Sequence, residues 1–256
     1  PGYIEPLQLI VAVHMGRKDV GKAMDRVQRQ MSAAPSNPAI YTLMARLNEA
    51  NKDLVNAEIN LKKAIDLAPN QPGGYTSLAD FYLRHQYIEK AKGQYNAILA
   101  KNPNALLAHM GLGLIYENEK NYAKAQEHYE KALKINPNFL PAANNLAYIY
   151  AEHGGNIDMA LTMAQKAKEQ FPDSPNISDT LGWIYYKKNI PGRAVTYLKE
   201  AAEKLPENPT IRYHLGMAYY KSGNRSMAQK ELTQALNMGV VFPDADKARA
   251  ALKELK

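Results

Sequence analysis

The sequence contains no cysteine in 256 residues, which excludes disulfides, thiolate metal sites and cysteine nucleophiles together. Phenylalanine occurs only four times and tryptophan once, while valine and threonine are sparse beside abundant alanine, leucine, lysine, glutamate, asparagine and tyrosine. That is a helix-former's composition. No stretch approaches the ~18 uninterrupted apolar residues that a membrane-crossing helix needs. There is no glycine-rich phosphate loop, no HExxH and no GxSxG. The six histidines (His14, His85, His109, His128, His153 and His214) stand at different phases, and none pairs with a second ligand type at metal spacing. We therefore expect no catalytic residue, no metal and no other cofactor. The chain opens on Pro1, without an initiator methionine or signal peptide, and reads as a piece cut from a longer protein.

Charge is present in excess but not concentrated. The net charge is +7, and residues 1–128 carry 15 basic against 12 acidic side chains, with 17 against 13 in the remainder. Basic residues never stand more than two together (Arg17-Lys18, Lys62-Lys63, Lys187-Lys188), whereas tracking a phosphate backbone needs them gathered along one path. Nucleic acid is not an expected partner. A hydrophobic content of 46% is enough for an ordinary core.

The prolines supply a ruler. Pro35, Pro69, Pro103 and Pro137 are 34 residues apart, Pro172 follows after 35 and Pro206 after 34; one more step of 34 reaches Val240. The extra residue falls where Gly154-Gly155 replaces a single turn residue. Twelve residues before each of the seven markers stands alanine: Ala23, Ala57, Ala91, Ala125, Ala160, Ala194 and Ala228. Tyrosine recurs at 82, 116, 150, 185 and 219, each preceded three residues earlier by a small residue (Ala79, Gly113, Ala147, Gly182, Gly216). Such a unit is a helical hairpin: helix A of ~13 residues, a turn, and helix B of ~14 residues ended by proline. Small residues at facing positions let the two helices approach, and tyrosine and leucine fill the wedge to the next hairpin. A lone hairpin cannot bury its apolar face, so hairpins must stack. Their expected spans are 4–33, 38–67, 72–101, 106–135, 140–170, 175–204 and 209–237.

These residues resemble the tetratricopeptide-repeat (TPR) family along nearly the whole chain. The segment His109–Pro137 carries the family's Leu112-Gly113, Tyr116, Tyr122, Ala125, Tyr129, Ala132-Leu133 and Pro137 in register. The pentatricopeptide family, similar in repeat size, has a different pattern. The resemblance implies an all-α, right-handed TPR solenoid of about seven helix-turn-helix repeats, at 4–37, 38–71, 72–105, 106–139, 140–174, 175–208 and 209–242, with a C-terminal capping helix in 243–256. In that last segment Asp244 can cap a helix whose Ala245, Ala248, Leu252 and Leu255 share one face. The first repeat departs most, with Val11 and His14 at the small and tyrosine positions. Its Leu7–Val13 is apolar nearly all round, as for a helix between neighbours, so further repeats are expected ahead of residue 1 and self-association through this face when it is bare.

Family members usually take a peptide on the concave wall of A helices, and the non-packing A-helix positions change character along the chain. The first four repeats present Gln8, Thr42, Arg46, Thr76, Asp80, Met110, Leu114 and Glu117. The last three present Asn144, Asn145, Tyr148, Asp179, Thr180, Trp183, Tyr186, Lys187, Tyr213, His214, Met217, Tyr220 and Lys221. Seven of the 17 tyrosines lie off the family's packing positions, and four of those seven (Tyr148, Tyr186, Tyr213, Tyr220) fall on this wall with the only tryptophan. Aromatic rings with polar tips, rimmed by Asn, Asp and Lys, suit a protein-binding hot spot. The candidate partner-binding residues are Asn144, Asn145, Tyr148, Asp179, Trp183, Tyr186, Lys187, Tyr213, His214, Tyr220 and Lys221. Tyr148 and Trp183 could equally stack on neighbouring A helices; Tyr186, Tyr213 and Tyr220 are read as ligand contacts. The Lys/Asn/Arg set with which chaperone adaptors hold a C-terminal carboxylate is missing from every three consecutive repeats, and Asp179 would repel such a group.

The stretch Asn144–Asn189, running on to Ile211–Asn224, is similar to the C-terminal repeats of bacterial TPR lipoproteins associated with PEP-CTERM sorting and exopolysaccharide systems. Their NNLAW, DTLGW and YHL segments correspond to Asn144–Tyr148, Asp179–Trp183 and Tyr213–Leu215, with tyrosine for the first tryptophan. This implies a scaffold in envelope assembly or polysaccharide export, and a periplasmic or membrane-anchored location before a cytoplasmic one. The expected function is protein or peptide binding in the groove; a structural self-assembly role is the alternative, and an enzyme is not expected.

Overall fold

The computed structural model describes residues 4–255, which form fifteen α-helices and no strand. Two compact units divide the chain, Pro1–Glu119 and Lys120–Lys256. The first holds α1 (Glu5–Gly16), α2 (Val20–Ala33), α3 (Pro38–Ala50), α4 (Leu54–Leu67), α5 (Pro72–Arg84), α6 (Ile88–Lys101) and α7 (Leu106–Asn118). The second holds α8 (Tyr122–Ile135), α9 (Leu140–His153), α10 (Ile157–Gln170), α11 (Pro175–Lys187), α12 (Pro191–Lys204), α13 (Pro209–Lys221), α14 (Arg225–Asn237) and α15 (Ala245–Glu254). The all-α helical-repeat class read from the sequence is the class observed.

Local chemistry explains where each helix begins and ends. Odd-numbered helices commonly open on proline in their first turn (Pro38, Pro72, Pro141, Pro175, Pro209), where a missing N–H costs nothing. Asp19, Asp53, Asn121, Asn156 and Asn224 cap even-numbered helices by accepting a backbone N–H of the first turn. The even-numbered helices from α2 to α12 end two residues before Pro35, Pro69, Pro103, Pro137, Pro172 and Pro206. Between the helices of a pair one residue is left-handed, and it recurs with the repeat: Lys18, Lys52, Gln86, Lys120, Gly154, Asn189 and Gly223. In the fifth repeat α9 is 14 residues long and the added residue is Gly155, where a Cβ would stand 2.2 Å from the Tyr150 ring. Only glycine fits there.

Packing of the helix pairs inside each unit rests on small residues. Ala23, Ala57, Ala91, Ala125, Ala160, Ala194 and Ala228 are all 0% exposed. Opposite them Ala79 and Ala147 are equally buried, and a Cβ on Gly182 would come within 2.6 Å of Leu198 Cγ. Successive hairpins within a unit are stitched by a second device. The carbonyl of a proline beyond one B helix accepts a hydrogen bond from the side chain six residues on: Tyr41 Oη to Pro35 O (2.9 Å), Tyr75 Oη to Pro69 O (3.2 Å), His109 Nε2 to Pro103 O (3.0 Å) and Arg212 Nε to Pro206 O (3.0 Å). Three chemically different residues make one contact.

Two stability outcomes follow from these constraints, both readable by urea denaturation. Gly182→Ala drives a methyl into Leu198 and is expected to cost about 1–3 kcal/mol. Gln86→Gly relieves a left-handed side-chain residue (φ 62°) and is expected to be neutral or to stabilise by up to about 1 kcal/mol.

Candidate functional site

In the second unit the thirteen-residue α11 packs on α9 and the thirteen-residue α13 packs on α11, and their inner positions meet on one wall. Trp183 is its centre. The indole stacks on Tyr186 at 4.5 Å and on His214 at 4.0 Å, with interplanar angles of 12° and 22°, and is 3% exposed. Its Nε1 donates to Glu152 Oε2 at 2.9 Å, and Lys187 reaches the same oxygen at 2.7 Å. His214 is fully buried, with Nδ1 2.8 Å from Asp179 Oδ1. Of the two readings for Trp183, stacking on a neighbouring A helix is what the structure has. Tyr148 is half-buried, its ring 6.3 Å from that of His214.

Of the three tyrosines read as ligand contacts, Tyr213 is buried, while Tyr186 and Tyr220 are half-buried. Tyr213 is 3% exposed, lying 5.9 Å from Trp183 and 6.1 Å from Phe242, which arrives from the chain leading into α15. Burial, and the nearby Asp244 carboxylate, push its phenol well above the ordinary range. Tyr186 is half-buried, with Lys221 Nζ 4.5 Å above its ring and donating to its carbonyl at 3.0 Å. Tyr220 is half-buried and donates to Glu254 at 2.8 Å. The cause is convergence: inner faces of successive A helices are near enough here for large rings to fill the space between them. Asn145 donates to Tyr129 Oη at 3.2 Å, whereas Asn144 Oδ1 and His214 Nε2 are buried without a partner.

Glu152 and Lys247 were not among the residues read as partner-binding, and Asp244, read as a helix cap, precedes α15 without a side-chain cap hydrogen bond and pairs with Lys247 instead. Lys247 lies 3.5 Å from Glu152 Oε1 and 2.7 Å from Asp244. Burial would raise the Glu152 carboxyl, but the hydrogen bonds from Lys187 and Trp183 outweigh it and hold the group below its ordinary range. A signal was available for Glu152. It occupies the helix-A position that holds Lys187 and Lys221 in the next two repeats, an acid where the neighbours carry bases.

The first unit differs. Here the A-helix wall is an open cleft of about 230 Å³, lined by Gln8, Thr42, Arg46, Gln71 and Ser77 among others. A narrower groove shares Thr42, Arg46 and Ser77 and runs on to Glu49, Asp80 and Arg84. Arg84 is spent on Glu49 in a bidentate pair (both 2.8 Å), with His85 2.9 Å from the same carboxylate. Exposed Arg46 has no acidic partner among the described residues. Gln71 and Ser77 were not among the residues read from sequence.

The His214–Asp179 pair has the form of a base and its orienting acid, yet the imidazole is fully buried with its face against Trp183, out of reach of a substrate. Among the described residues no group of three or more His, Asp or Glu side chains could hold a metal ion, and no helix is long and apolar enough to cross a membrane.

Residues 38–71, 107–139, 128–162 and 191–252 each match a tetratricopeptide repeat family model. The chain is a tetratricopeptide-repeat protein. A TPR protein from Parabacteroides merdae has a similar structure, with a TM-score of 0.66 at 19% identity over 98% of each chain. YrrB, described as a TPR protein with an unusual peptide-binding site, gives 0.57 at 22% identity over 75% of this chain and 97% of its own. PilW, described as a widely conserved type IV pilus biogenesis factor, gives 0.60 at 23% identity over 72% and 90%. At these identities the likeness is one of fold. No curated protein matches the chain.

The single tryptophan makes the TPR wall observable. Glu152 is held below its ordinary value of 4.5, so its contribution is present above that pH and is lost as pH falls through the depressed value. Trp183 emission is expected to shift to the red as pH falls below 4.5, and Glu152→Gln is expected to remove that acid transition.

Proposed function

We propose that this TPR protein is a non-catalytic interaction scaffold that receives an extended peptide segment of a partner protein along its A-helix wall. The observation that carries the reading is the open cleft of the first unit, where the unpaired Arg46 is ringed by the amides of Gln8 and Gln71 and the hydroxyls of Thr42 and Ser77. Amides and hydroxyls can hydrogen-bond a peptide backbone, and a guanidinium without an internal partner fits a carboxylate. The aromatic wall of the second unit, from Asn144 to Lys221, is a second candidate face, taken by itself. YrrB's described peptide-binding site supports the reading by analogy of fold, and the similarity to bacterial lipoprotein repeats, together with PilW's role in pilus biogenesis, favours a place in envelope assembly or polysaccharide export. Random-peptide display on the purified chain tests it. Enriched peptides are expected to carry Asp or Glu and to be lost on Arg46→Glu; identical enrichment on both proteins removes Arg46 from the site.

A self-assembly role is the second reading, favoured by α1, whose Leu9 and Val13 are 70% and 53% exposed. Light scattering on the chain should then show association that vanishes when both are replaced by serine. A monomer in both cases excludes it.

A further inference from the structure

One side of α1 is built to take another helix. Counting by the repeat, its Leu9, Ile10 and Val13 stand 34 residues before Leu43, Met44 and Leu47 of α3. Those three are 7%, 5% and 2% exposed and share a core with Ala23 and Val27 of α2. In α1 the equivalent side chains are 70%, 39% and 53% exposed. The residue types match; what differs is the cover.

What fits this face is read from the charges at its two ends. Glu5, Leu9, Val13 and Arg17 follow one another at intervals of four, which on an α-helix makes a single oblique ridge. Arg17 is the C-cap residue of α1, so the ridge runs the length of the helix, acid first and base last. Both charged side chains are exposed, and neither forms an ion pair among the described residues; Asp19, the acid nearest Arg17 in sequence, is taken by Lys22 at 2.8 Å. Within the first unit only α1 has this arrangement. The equivalent positions of α3, α5 and α7 hold Ala39 and Asn51, Gly73 and His85, Leu107 and Glu119. A ridge with an acid at one end, a base at the other and aliphatic side chains between is complementary to its own reverse.

We propose that α1 is a homodimerisation face that pairs antiparallel with α1 of a second copy. Ridges of the i,i+4 kind interlock at a crossing of about −50°. In that geometry Leu9 lies beside Val13 of the second copy and Glu5 beside its Arg17, each contact occurring twice. A parallel pair would set Glu5 against Glu5 and Arg17 against Arg17, so the charges select the antiparallel one. The contact is isologous: both copies use the same patch, and assembly stops at two. Hairpins stacking head to tail onto α1 would instead grow without closing. The face is small, so the dimer is weak, and with its ion pairs in solvent it is sensitive to salt. The proposal rests on the self-assembly reading and makes it specific in partner, direction and number.

Sedimentation equilibrium of the full chain over a wide concentration range at low salt tests it, with circular dichroism as a check on folding. Wild type is expected to pass from monomer to dimer and no further. Glu5→Lys and Arg17→Glu are each expected to weaken the dimer by about tenfold or more, because each turns both end pairs repulsive. The two variants mixed in equal amounts should recover the dimer, since opposite charges then meet at both ends, and the doubly exchanged chain should dimerise as wild type does. A wild type that stays monomeric throughout overturns the proposal together with the self-assembly reading. Association that ignores both reversals, or masses that climb beyond two copies, overturns the antiparallel pairing and leaves self-assembly through Leu9 and Val13 standing. Should either reversal lower helicity, Glu5→Gln and Arg17→Gln replace it; loss of the salt dependence is then the expected result and an unchanged salt dependence the refutation. None of these outcomes bears on the Arg46 cleft, whose display test stands apart.

Discussion

Close approach of two helices across an alanine is the contact on which everything else in this chain depends. Seven alanines, one per hairpin, have no accessible surface at all. With a larger side chain at any of them the two helices would separate, and the tyrosines and leucines in the wedge between hairpins would lose their fit. The tight pair also fixes which positions of each A helix remain unspent. Binding chemistry is confined to those positions because packing has taken the others.

The two units spend those positions differently. In the first, Glu49 and Arg84, 35 residues apart, neutralise each other at the helix ends and leave an open polar cleft with one free cation. In the second the same 35-residue link joins Glu152 to Lys187 and Asp179 to His214, while the space between is filled by stacked rings. Repeats of one architecture thus give an open surface and a closed one. At matching helix-A positions the first unit has Thr42 where the second has Tyr213, and the charged Arg46 and Asp80 where the second has Trp183.

Helix type, phase and ends were legible in sequence because proline and alanine act locally. A proline cannot continue a helix wherever it sits, and an alanine at a helix crossing is selected by distance alone. The candidate site was legible only as a set of positions. Tyr148, Trp183 and Tyr186 do come together, but whether Tyr213 faces water depends on how sharply successive A helices converge and on where Phe242 returns, and both are tertiary properties. Arg46 looked unremarkable beside Asp80 and Thr76; that it forms no ion pair among the described residues, although Glu49 and Asp80 line the same groove, is something a sequence cannot record. The extra residue of the fifth repeat was visible as Gly154-Gly155, and the Tyr150 ring explains why the second of these carries no side chain.

The proline carbonyls carry a consequence for how such a chain drifts. Each asks only for an N–H or O–H six residues on, and Tyr41, His109 and Arg212 satisfy the request equally well. A site that accepts a phenol, an imidazole or a guanidinium can exchange a neutral group for a fixed positive charge without disturbing the joint between hairpins. Neighbouring copies of the unit can therefore differ in the charge they carry at this joint while its geometry stays the same.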